Sequence, residues 1–486
     1  MASTDLPPTP TGYDTMLGSD DTRTADGEEK PDRVSVDPAE GVVEGPAANG
    51  PSKESSRPDD GRERVRLVRG DDGAFTFVDG SRLVNNLPWI VGFMELANAG
   101  DFAANVWNQV PVPVYAIVFM AIGGTVAGIL SVFAFRDARL SCKNVRFLRR
   151  QRREQQAERA RRLRHGLSTL DVDVLMAVTF REFGSEVIGR WFMDILMGCG
   201  AVLICVGTFM AIGGADPAVY EASNILSGYL GNAPIALFGL VNSAWAAYIF
   251  AKARGHVRAT RETLRGSAAA ALVKRRSRNV QVFCAVNGTA AILGGLGSML
   301  TATYWWGYVI LIPVIVASVF CNVWWRHRVG YTRWHPKPGE FPALVPAELV
   351  AELEFAARAA VVARERERSP IDEFVADAGS VRDVLAFLRR HLFFDAFCLR
   401  VASTPDLCDA LGGKHQPELL VGIDELLALP ESLHPTLLAT AHAYVDEFGR
   451  KQFQYHERYM AELLGTYYRI AGNVNFDGNS DVTEKQ

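Results

Sequence analysis

"VQVFCAVNGTAAILGGLGSMLTATYWWGYVILIPVIVASVFCNVWW", residues 280–325, contains no Asp, Glu, Lys, Arg or His. Helices buried in a soluble core seldom stay free of charge for so long. A membrane-crossing helix needs about 20 apolar residues to cover the ~30 Å of hydrocarbon. This stretch is too long for one crossing. The turn "TATYWWG" (301–307) predicts a hairpin of two spans, 280–301 and 304–325, with Trp305, Trp306, Trp324 and Trp325 bracketing the second of them. Amphipathic rings settle at the two membrane interfaces.

Three more stretches read the same way. "VPVYAIVFMAIGGTVAGILSVFAF" predicts a span over 112–135, "ILMGCGAVLICVGTFMAIGG" predicts one over 192–214, and "LGNAPIALFGLVNSAWAAYIFA" predicts one over 230–251. The fold class expected is therefore all-α, a polytopic helical membrane protein of about five spans. The connections between spans are unequal in charge. Residues 136–191 carry fourteen Lys/Arg and residues 252–279 carry nine, whereas 215–231 and 301–307 carry none. The positive-inside rule then places 136–191, 252–279 and everything after 325 in the cytosol, and 215–229 outside. It leaves the particular membrane, plasma membrane or endomembrane, open.

The cluster "RFLRRQRREQQAERARRLRHG" (146–166) looks like a nucleic-acid arm in isolation. It lacks the interleaved aromatics that stack bases. Its place after a span makes it a topogenic stretch suited to anionic lipid headgroups, with no nucleic-acid role.

Residues 1–60 hold fourteen Asp/Glu against five Lys/Arg and are rich in Pro, Gly and Ser, so 1–72 is expected to be an acidic disordered tail. It shows neither the basic start nor the apolar run of a signal peptide. "AFTFVDGSRLV" (74–84) predicts a hairpin turning at Asp79-Gly80. "LPWIVGFMELANAG" (87–100) is apolar but short and contains Glu95. The segment 73–111 is expected to lie at the exterior interface. The alternative is a sixth crossing with the N-terminus in the cytosol.

Beyond 340 the pattern turns soluble. Helices are predicted over 346–368, 380–403, 417–430 and 434–472, the last interrupted near Gly449, and together they form a helical domain over 340–472. A polar tail, 473–486, follows. Its Asn473, Asn475, Asp477, Gly478 and Glu484 occupy positions of a calcium loop, without the exiting helix such a loop requires.

Chemistry is sparse. The seven cysteines form no Cys-x-x-Cys pair, and "DALGGKH" (409–415) lacks the first Gly and the final Ser/Thr of a phosphate loop. No catalytic motif, metal set or cofactor is implied. The candidate positions are polar or small residues within spans. Asn242, Asn287 and Asn322 either hydrogen-bond between helices or line a solute path. Gly124-x-x-x-Gly128, like Gly294-x-x-x-Ser298, permits close helix approach for folding or dimerisation. Cys142 is a candidate for palmitoylation. No ionisable residue is read within the span interiors, which argues against a proton-coupled or charged-ion path.

"NNLPWIVGFMELANAGDFAANVWNQVPVP" (85–113) and "FRDARLSCKNVRFLRRQRR" (135–153) resemble corresponding parts of uncharacterised multi-spanning integral membrane proteins of filamentous fungi. The resemblance covers about the first third of the chain and implies a location without an activity. The function expected is that of a non-enzymatic multi-pass protein whose cytosolic helical domain contacts a protein partner or lipid. The alternative is a transporter or channel-like protein for an uncharged or lipid solute. The partners expected are the bilayer, anionic headgroups and a cytosolic protein, and the oligomeric state stays open.

Overall fold

The computed structural model describes residues 64–483 apart from 72, 79–81, 84–88, 108–110, 335–340, 366–368 and 415. The acidic stretch 1–63, the Asp79-Gly80 turn and Glu484 lie outside the described residues.

Five helices are long and apolar enough to cross a membrane: α2 (Val114–Arg164), α3 (Leu170–Ala211), α4 (Pro217–Thr263), α5 (Ala268–Thr301) and α6 (Gly307–Val329). Short helix α1 (Phe102–Val106) precedes them. Only 33–44% of their most apolar windows is buried, so aliphatic side chains such as Val118, Ile129, Leu240, Leu296 and Ile312 face outward. An apolar belt of that extent is stable in lipid and costly in water. The fold fits a multi-pass integral membrane protein.

The basic stretches expected as loops are helical. α2 continues past its apolar part to Arg164, and α4 and α5 approach one another as far as Thr263 and Ala268. Local ion pairs support these extensions. Glu158 binds Arg161 and Arg162, and Arg159 binds Asp173 of α3, so several arginines of 146–166 are already engaged within the chain. We call this end of the bundle the basic end.

A helical module sits on the basic end. It comprises α7 (Pro346–Glu365), α8 (Pro370–Phe374), α9 (Val381–Arg390), α10 (Phe394–Ala402), α11 (Pro405–Ala410), α12 (Ile423–Leu427) and α13 (His434–Thr483). Phe393, Phe397, Leu385, Leu388, Val445 and Phe453 fill its core. A second cluster welds it to the spans. Leu353 of α7 and Leu464 of α13 pack with Val174 of α3 and Val273 of α5.

Several expected elements differ. The helix over 380–403 breaks at Leu392, whose φ of 63° ends α9 and starts α10. The helix expected over 417–430 begins instead as a strand, Glu418–Val421. The helix from 434 passes Gly449 unbroken and runs to Thr483, so the backbone of 473–483 is helical and not a calcium-type loop.

The N-terminal boundary moves as well. Strand β1 (Val65–Arg69) lies within the stretch assigned to the tail, and pairs antiparallel with both β2 (Phe75–Phe77) and the strand Glu418–Val421. Leu67 is wholly buried in the module core. The expected hairpin partner, β3 (Arg82–Leu83), pairs instead with β4 (Arg333–Trp334), directly after α6. The strand Glu418–Val421 is β5.

Residues 89–106 lie among the spans and reach the end of the bundle opposite the basic end. Leu83 packs on Phe147 and Leu148 at the basic end, and Ala103 and Ala104 pack on Ala116 and Met120 at the opposite end. These sites are roughly 40 Å apart along α2. An eleven-residue 3₁₀ helix, Trp89–Ala99, covers much of that distance through its steeper rise. Gly92 lies against Asn322 of α6, and Gly123 of α2 touches the backbone of Gly100 so closely that a Cβ would sit 2.0 Å from its carbonyl oxygen. At the far end the Tyr308 hydroxyl donates to Asp101 at 2.8 Å and Asn105 donates to the same carboxylate at 2.9 Å. The segment lies between helices and does not rest across their ends.

Candidate functional site

The three span asparagines come from three different helices and line one cavity of about 120 Å³ toward the basic end. Asn242 lies on α4, Asn287 on α5 and Asn322 on α6. A serine sets their alignment. The Ser243 hydroxyl lies 2.8 Å from the Gly239 carbonyl of its own helix and 2.6 Å from the Gly288 carbonyl of α5, and its one proton serves the shorter bond. That bond fixes α4 against α5 one residue away from both Asn242 and Asn287. Gly239 and Gly295 allow the approach, since a Cβ on Gly239 would meet the Ala291 carbonyl oxygen at 2.3 Å. At the α6 end, the Trp324 indole donates to the Asn279 carbonyl at 3.0 Å.

Neither Asn242 nor Asn287 makes a side-chain hydrogen bond to a described residue. Amide groups that merely glue helices together would be bonded to one another or to backbone. These face open space.

α3 supplies the polar wall. Its π turn, Val187–Phe192, and the one ending α6, Trp325–Val329, both border the cavity. Such single-turn widenings recur at functional sites because they re-aim neighbouring side chains. Gly189 in the first turn opens onto space where a Cβ would touch nothing within 4 Å.

Arg181, Glu186 and Arg190 of α3 reach this wall, and both arginines have carboxylate partners. Arg190 binds Asp137 of α2 at 2.7 Å and Glu186 at 3.5 Å. Arg181 binds Glu462 of α13 at 3.0 Å, and donates to the Tyr331 hydroxyl at 2.7 Å. Glu462 also has Lys252 at 4.0 Å. Burial would raise the Glu462 carboxyl, but Arg181, His256, Lys252 and Arg276 outweigh it and hold that group well below the usual carboxylate range. Tyr331 donates to Glu182 at 2.5 Å, and Glu182 binds Arg333 of β4. A smaller cavity of about 30 Å³ shares Arg181, Ser185 and Glu186 and ends at Leu83 and Tyr331. Leu83 of β3 thus borders the smaller cavity toward the basic end.

The reading of charge-free span interiors fails at Asp194. It lies inside 192–214, is wholly buried, and accepts no hydrogen bond from a described residue at either oxygen. It sits beside Asp137, Glu186 and Arg190. Sequence spacing held a signal for this cluster, because Glu186, Arg190 and Asp194 recur every four residues on one helix face. The partners Asp137, Tyr331 and Glu462 gave none, being remote in sequence.

The remaining candidates separate. Gly124 and Gly128 face α3, where Cβ atoms would meet the Phe209 ring at 3.0 Å and the Cys205 sulfur at 3.2 Å, so this small-residue face is used within the chain. Gly294 meets Val314 of α6, while its neighbour Gly295 makes the close contact with Ala236 of α4. Cys142 is half-buried on α2, apart from the cavity residues. No group of His, Cys, Asp and Glu among the described residues is placed to hold a metal ion. Comparison with protein-family models, with curated proteins and with solved structures finds no match.

Proposed function

We propose that this multi-pass membrane protein receives a small uncharged polar solute in the asparagine-lined cavity, as a transporter or channel-like protein without catalysis of its own. The observation that carries the reading is that Asn242 and Asn287 face the cavity with their amides unused. A site that offers amide donors and acceptors, with its arginines already neutralised by Asp137 and Glu462, favours a neutral ligand over an ion. The basic end is cytosolic in this reading, by the positive-inside rule. Residues 89–106 then form a sixth crossing, and β1 to β3 share the cytosolic side with the helical module.

Uptake of small polyols and amides by reconstituted vesicles tests it. Asn242→Leu with Asn287→Leu should abolish uptake while expression and thermal stability persist. Loss of folding with no separable effect on flux would show that the asparagines serve packing. A second reading, in which the helical module serves lipid or partner contact, is favoured by a basic groove between α5, α7 and α13.

A further inference from the structure

The groove has a volume of about 1000 Å³ and is lined by seven arginines and two glutamates. Three of the arginines are occupied. Arg275 binds Glu457 at 2.6 Å, Arg276 donates to the Val329 carbonyl at 2.7 Å, and Arg458 donates to the Gly330 carbonyl at 2.7 Å. These hold α5, the end of α6 and α13 together and form the floor. The other four, Arg328, Arg358, Arg364 and Arg450, are exposed and have no carboxylate partner among the described residues. They come from three different elements and converge on one space. Seven arginines against two glutamates leave the groove with a positive potential, which a bound anion lowers.

Two features make the anion a phosphate-bearing one. The amino end of α5 borders the groove and already accepts a carboxylate, with Ala269 N–H donating to Glu354 at 3.2 Å. Guanidinium groups that converge on one groove match the several oxygens of phosphate groups, each able to take paired N–H bonds. The groove also lies where the charge-free run 280–325 begins and ends, with Asn279, His327 and Arg328 in its lining. A headgroup in the adjoining leaflet would reach it while its acyl chains stay in the bilayer.

We propose that this groove binds a multiply phosphorylated anion, presented as a lipid headgroup or as a soluble polyphosphate. The site is separate from the asparagine cavity and stands whether or not that cavity carries solute.

The test uses the full chain in phosphatidylcholine nanodiscs, with inorganic tripolyphosphate as the probe. Wild type should bind, with affinity falling as salt rises. The combined variant R328Q/R358Q/R364Q/R450Q should lose about tenfold or more, because charge-assisted bonds to phosphate are among the strong ones. The comparator R254Q/R258Q/R278Q, on a different basic surface of α4 and α5, should keep wild-type affinity. If the quadruple variant fails to fold, the four single variants carry the test, each at an exposed position. Discs containing phosphatidylinositol bisphosphate separate the sources. Displacement of tripolyphosphate by the lipid identifies a headgroup, and unchanged affinity identifies a soluble anion. No binding by wild type with either probe, or equal losses in the variant and the comparator, would overturn the proposal.

Discussion

Arg181 of α3 and Glu462 of α13 meet at 3.0 Å with their side chains only 5% and 4% exposed. This pair ties the helical module to the wall of the cavity. Removing one partner of a buried pair leaves the other uncompensated and costs about 3–5 kcal/mol. Glu462→Gln should therefore lower the thermal midpoint strongly, since Lys252 also loses its carboxylate. Arg181→Met combined with Glu462→Leu should recover only the part owed to the stranded Arg181, because Lys252 still lacks its carboxylate, measured by unfolding in detergent.

Asp194 predicts the opposite sign. It shares a buried site with Asp137 and Glu186 and a single arginine, Arg190, and its oxygens accept no hydrogen bond from a described residue. Asp194→Asn keeps the shape of a side chain that no ion pair needs, and should leave stability unchanged or raise it. Asp137→Asn, which breaks the bond to Arg190, should cost about 3 kcal/mol or more. The ranking of the two midpoints checks this, and equal losses would refute it.

In the helical module, Glu352 accepts from His456 at 2.9 Å and has His391 at 3.5 Å. Burial alone would raise its carboxyl. The two imidazoles outweigh burial and hold it well below its ordinary value. A carboxyl depressed in the folded state contributes stability above its unfolded pKa, about 4.3, and loses it as pH falls toward the folded value. The module should thus weaken below about pH 4.3. Glu352→Gln should be less stable near neutrality and flatter in the acid range, as read by hydrogen exchange over α7 and α13.

β1 predicts a sharp truncation boundary. Leu67 is fully buried, and Arg66 pairs with Glu418 of β5. A chain starting at residue 64 should keep the module intact, whereas one starting at residue 71 should lose it. Leu67→Ala should cost about 2–5 kcal/mol, the range for emptying a leucine site in a packed core.

The spans were legible because lipid tolerates so few charges that their absence is itself a pattern. The asparagines stood out for the same reason, as polar side chains in apolar runs. What sequence alone missed depends on distant partners. β1 and β5 are short strands about 350 residues apart, and β5 pairs with β1 alone among the described residues. The 3₁₀ segment Trp89–Ala99 is too short for an α-helical crossing and carries Glu95, so composition argued against it. The charges at Arg181 and Arg190 read as loop residues because α3 runs on beyond its apolar part, whereas Asp194 fell within the expected span 192–214.

Water access to Asn287 is the most direct test of the cavity. In a background with the native cysteines replaced, Asn287→Cys should react with a small water-soluble methanethiosulfonate. Leu296→Cys, on the outward apolar face of the same helix, should stay silent. Labelling of the first alone supports a hydrated polar cavity among the spans. If Asn287→Cys is as unreactive as Leu296→Cys in folded protein, the cavity is closed to water and the solute reading is wrong.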